Sequence, residues 1–147
     1  MRAILVPPLA ASFANATDWN LPTTFIGCYE LHALSQEPAV VKKNDFLPRT
    51  YVLTVRSTKP QARLSGQCFE VKSTDSNVHR DLAFSSWKPK NNDEFEIIWS
   101  TGFVANGVSL RKSQGEFRGK AQYSEDTDSH PIEPFGVSAR QTSCKPN

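Results

Sequence analysis

The stretch Glu116-Phe117-Arg118-Gly119-Lys120-Ala121-Gln122-Tyr123 alternates without a break. In an extended chain Phe117, Gly119, Ala121 and Tyr123 fall on one side and Glu116, Arg118, Lys120 and Gln122 on the other, as a strand with one dry and one wet face requires. The same period-2 pattern recurs outward from it: Phe95, Ile97 and Trp99; Val104, Asn106, Val108 and Leu110; Phe135, Val137 and Ala139; Tyr51, Leu53 and Val55; Phe69 and Val71. Eight extended segments follow, over residues 25–34, 50–57, 63–73, 79–88, 94–100, 103–111, 116–124 and 134–143. Turn chemistry separates them, as in Thr58-Lys59-Pro60, Thr101-Gly102 and Ser113-Gln114-Gly115, with a longer acidic loop over 125–133. No stretch of helical length carries a 3.6-residue apolar stripe after the first residues. Residues 35–46 read as a short helical turn or as the first long loop.

Nearly all the links are of hairpin length, so consecutive strands should be antiparallel neighbours. That order favours an all-β, eight-stranded antiparallel up-and-down β-barrel over a sandwich, which needs long crossovers. Small residues such as Gly27, Gly119, Ala121 and Ala139 among large ones on the inner face suit a tapering barrel.

Leu, Ile, Val and Phe make up 34 of the 147 residues, enough for one core and one domain. Seventeen Lys and Arg stand against 15 Asp and Glu, and no basic run exceeds Lys42-Lys43. A nucleic-acid partner is not expected. At the amino terminus, Met1-Arg2, an uncharged apolar run over 3–13 and then Ala14-Asn15-Ala16 read as a signal peptide (1–16) with an A-x-A cleavage site, or else as an N-terminal arm. The barrel domain would then be 17–147, in a secreted or periplasmic protein. The run is too short to span a bilayer, which takes ~20 apolar residues.

Gly27-Cys28-Tyr29 at the start of the first strand resembles the Gly-x-Trp motif of the lipocalin-like (calycin) barrels, with Tyr in place of Trp. The resemblance implies an Arg of the last strand packed across that ring to close the barrel end, and Arg140 is the matching residue. It also implies a ligand held inside the barrel. The inner face offers Tyr29, Tyr51, Phe84, Phe95, Trp99, Phe117 and Tyr123, with polar groups at Asn106 and Gln141, an apolar lining with a few orienting groups of the kind small-ligand sites use. The expected partner is a small hydrophobic ligand. The alternative is a non-enzymatic interaction or inhibitor protein in which the barrel is a rigid frame.

Chemistry-bearing motifs are sparse. His32, His79 and His130 have no metal-ligand spacing, Asp126 and Asp128 lack the rest of a calcium loop, and Glu94 and Glu96 share an outer strand face with no cleft implied. No nucleophile elbow, phosphate loop or dinucleotide turn occurs. Neither a cofactor nor an enzymatic activity is expected.

Cys28, Cys68 and Cys144 allow three single pairings. Parity points Cys28 and Cys144 outward, and closure of the barrel makes the first and last strands neighbours. Cys28 with Cys144 is therefore the expected disulfide, ahead of Cys68 with Cys144, the pairing that the tails of lipocalins suggest. Cys68 is left as a packed thiol.

Overall fold

The computed structural model describes residues 23–44, 47–57, 68–75, 85–126 and 132–145. The expected signal peptide, the arm before Thr23, Phe84, His79 and His130 lie outside them. A short 3-10 turn, Thr23–Phe25, leads into β1 (Gly27–Ala33). Then come α1 (Ala39–Asn44), β2 (Thr50–Ser57), β3 (Phe69–Ser73), β4 (Ser86–Pro89), β5 (Glu94–Ser100), β6 (Val104–Ser113), β7 (Glu116–Glu125) and β8 (Phe135–Thr142). The eight strands pair in chain order, every pair antiparallel, and close into a barrel. Closure runs from Cys28 opposite Thr142 to Ala33 opposite Val137.

The β6–β7 hairpin keeps one register from Val104 opposite Glu125 to Ser113 opposite Glu116. Its two-residue loop explains why: Gln114 and Gly115 both have positive φ, 47° and 86°, the twist that suits a tight hairpin. Alternation holds here as the sequence implies, with Phe117, Ala121 and Tyr123 buried and Arg118 and Lys120 exposed.

Parity fails at β2. Five residues of β2, Leu53 to Ser57, span three of β3, Val71 to Phe69, and this bulge turns Val55 outward, where it is 45% exposed instead of joining Tyr51 and Leu53. The carbonyl of Thr54 accepts a 2.8 Å hydrogen bond from Trp87 Nε1, so a core tryptophan is tied to the irregular stretch.

The ends of the barrel differ. At the lower end, where β2–β3, β4–β5 and β6–β7 turn, Phe25 enters the barrel ahead of Gly27 and meets Phe95, Phe117 and Trp87 at ring distances of 4.9, 5.9 and 6.4 Å. Residue 25 is thus a plug and not the first residue of β1. At the upper end the β1–β2 connection holds α1, the helical alternative of the two the sequence left open. Val41 and Leu47 from this connection are buried in the core, and an Arg49–Glu37 ion pair braces it. The Asp75 carboxylate, at the end of β3, accepts hydrogen bonds from the backbone N–H groups of Arg49 and Thr50 and from the Thr50 hydroxyl. Hydrogen bonds to a charged acceptor contribute ~1.5–3 kcal/mol. Asp75→Ala should therefore lower stability by about 2 kcal/mol in denaturant titration, and a loss under 0.5 kcal/mol would contradict the anchoring role.

Cys28 and Cys144 form a disulfide with Cα atoms 5.2 Å apart, and Cys68 is a buried thiol outside it. Among the described residues no helix is long and apolar enough to cross a membrane.

Candidate functional site

Seven of the eight residues expected to line the interior are described, and all seven are buried: Tyr29, Tyr51, Phe95, Trp99, Asn106, Phe117 and Tyr123. Phe84 lies outside the described residues. The structure divides the seven into two groups that the sequence could not separate.

The lower group is aromatic packing. Tyr29 lies 5.8 Å from both Phe95 and Phe117, these two are 5.1 Å apart, and the Tyr29 hydroxyl donates to the Phe25 carbonyl at 2.8 Å. Each inclined ring pair adds ~0.5–1.5 kcal/mol beyond its buried area. Trp87, which the alternation did not place, belongs to this core at 1% exposure. Its four-residue strand is too short to show a period, and the adjoining Ser86 is buried too.

Arg140 does not close this end. It lies on the face opposite Tyr29, in register with Glu30, and its side chain is exposed. Phe25 takes the place expected of a guanidinium, because residues 135, 137 and 139 are the inward ones of β8 and 140 falls on the other side. Gln141 is also exposed and donates to the Ile26 carbonyl at 3.0 Å instead of pointing into the barrel.

The upper group is polar as well as aromatic. Trp99, Asn106 and Tyr123 are cross-strand neighbours on β5, β6 and β7. Tyr51 meets Trp99 edge-on at 5.3 Å and stacks on Tyr29 at 5.2 Å. The Tyr123 hydroxyl donates to the Glu125 carboxylate. By contrast, the Tyr51 hydroxyl and Trp99 Nε1 are closed off from solvent and have no hydrogen-bond partner among the described residues. An unmatched buried polar group costs ~1–3 kcal/mol, and native structures keep few of them.

Burial pushes the hydroxyl of Tyr29 above its ordinary titration range. Burial does the same at Tyr51, where neighbouring Tyr29 adds to it. With a folded value above the unfolded one, the folded chain keeps protons that the unfolded chain releases. Stability is then whole below about pH 10 and falls above it, by up to ~1.4 kcal/mol per pH unit for each tyrosine. Phenolate absorbance of these two should therefore appear together with unfolding. Reversible titration of all the tyrosines near pH 10 in folded protein would contradict this.

The outer surface accounts for the remaining candidates. Glu94 bonds Arg111 at 2.8 Å and Ser109 at 3.2 Å, and Glu96 pairs with Lys88 and Lys90. The Arg111 guanidinium is the main reason the Glu94 carboxyl is held below its usual range, so these carboxylates serve an ion-pair lattice. His32 is exposed beside Glu30. A groove of about 270 Å³ crosses β5, β6 and β7 on the outside, lined by Glu96, Ile98, Gly107, Ser109, Lys120 and Gln122 among others. No family model matches the chain, and neither the curated proteins nor the solved structures yield a match.

Proposed function

We propose that this chain is an exported, lipocalin-like binding protein that holds a small, largely apolar molecule in the upper half of its barrel. The pair of buried donors unmatched among the described residues, Tyr51 hydroxyl and Trp99 Nε1, carries the proposal, because a guest that reaches them offsets a cost the ligand-free chain bears. The up-and-down barrel is a frame suited to such a guest, and the Cys28–Cys144 disulfide fits an oxidising compartment.

Trp99 is the reporter. Since Trp87 is part of the core, the difference in emission between the parent and Trp99→Phe isolates it better than removal of the other tryptophans. Retinoids, neutral lipids, fatty acids and aromatic dyes would be titrated. Saturable change in the Trp99 component with at least one of them is the expected result, and no change with any would overturn the proposal. An interaction or inhibitor protein with the barrel as rigid frame is the second role, favoured by the outer groove over Gly107, and it expects that unresponsive outcome.

A further inference from the structure

We infer that the polar end of the guest is an uncharged hydrogen-bond acceptor, a carbonyl or ester oxygen, bound by Tyr51 and Trp99, and that the site discriminates against carboxylates and other anions. This rests on the binding role proposed above and specifies the ligand class.

The indole N–H can only donate, and a phenol hydroxyl donates readily, so the missing complement is an acceptor. The rings that carry the two donors are in edge-to-face contact, with centroids 5.3 Å apart, so both side chains belong to one region of the interior. A carbonyl oxygen has two lone pairs and can receive both.

Charge decides between the acceptors. A carboxylate would satisfy the same donors, but an ion taken out of water needs a cation beside it. Among the described residues the buried polar side chains are Ser86, Asn106 and Ser138, with no buried Lys, Arg or His. Of the charge at the upper end, the Arg49 cation is already paired with Glu37, and Glu125 has the wrong sign: it reaches Tyr123, whose register partner Asn106 is in turn the partner of Trp99. The surroundings that keep the Tyr29 and Tyr51 phenols protonated disfavour any other buried anion for the same reason. An ester or ketone loses far less on leaving water than a carboxylate does.

Two matched series test this at pH 7.5, read by the Trp99 emission component or, for Trp99→Phe, by competition with a bound dye. They are palmitic acid, methyl palmitate and heptadecane, and retinoic acid, retinaldehyde and the parent hydrocarbon. The neutral acceptor should bind at least 10-fold tighter than both the carboxylate and the hydrocarbon in at least one series. Its advantage over the hydrocarbon should shrink to under 3-fold in Tyr51→Phe and in Trp99→Phe. Ligand-free Tyr51→Phe should melt no lower than the parent, since it deletes a hydroxyl that has no partner, and a clear fall in melting temperature would show that the hydroxyl is already matched and overturn the inference. Carboxylates binding as tightly as the esters, or an ester advantage that survives both substitutions, would overturn it while leaving a binding barrel in place. Failure of every member of both series to bind would overturn the inference and the binding role together.

Discussion

Gly119→Ala should collapse the stability of this barrel by about 3 kcal/mol or more, the upper end of what overpacking costs when the obstacle cannot move. A β-carbon at this position would lie 1.7 Å from the backbone oxygen of Ser109 and 2.8 Å from its carbonyl carbon. Main chain, not a rotatable side chain, occupies the space. The methyl group can be admitted only by parting β6 from β7, which share the longest unbroken register among the described residues. Gly107→Ala is the internal control, because a β-carbon there meets nothing within 4 Å, and it should change stability by under about 1 kcal/mol. Denaturant titrations of the two variants would show midpoints far apart. Equal midpoints would mean that β6 and β7 do not approach each other as described.

Removing the Cys28–Cys144 disulfide is the second large effect expected. The two residues are 116 apart in sequence, and a native bridge closing so long a loop contributes ~2–5 kcal/mol, chiefly by restricting the unfolded chain on the entropic account. Cys28→Ser and Cys144→Ser should each lose this amount, and the double variant should lose no more than either one, since the same bond is broken. Cys68→Ser should leave the bridge intact. Unreduced peptide mapping should recover one cross-linked peptide containing Cys28 and Cys144, with a single titratable thiol in denaturant. A disulfide peptide containing Cys68, or three free thiols, would contradict the pairing.

Strand parity carried most of what the sequence could say. β2 and β5 have the bounds read from alternation, the eight-strand order follows from hairpin-length links, and the cysteine pairing follows from outward parity plus closure. Each departure has a local physical cause that a period-2 pattern does not contain. A bulge reverses Val55, a single 3-10 turn delivers Phe25, and a four-residue strand hides Trp87. The resemblance points to Arg140 in conflict with its own strand, where parity turns residue 140 outward. The candidate site shows the same division. Alternation named Tyr51, Trp99, Asn106 and Tyr123 as inward residues. That the Tyr29 hydroxyl is matched depends on the 3-10 turn that brings the Phe25 carbonyl to it, a placement that pattern cannot supply.

The binding role itself is tested most directly by native mass spectrometry of freshly purified, full-length protein expressed with export, with the Tyr51→Phe/Trp99→Phe double variant alongside. A folded parent carrying a non-covalent adduct of a few hundred daltons, lost on mild activation and much depleted in the variant, is the result this account predicts. Parent protein that is folded and disulfide-bonded yet has the mass of the bare chain, and that takes up none of the titrated ligands afterwards, would contradict it.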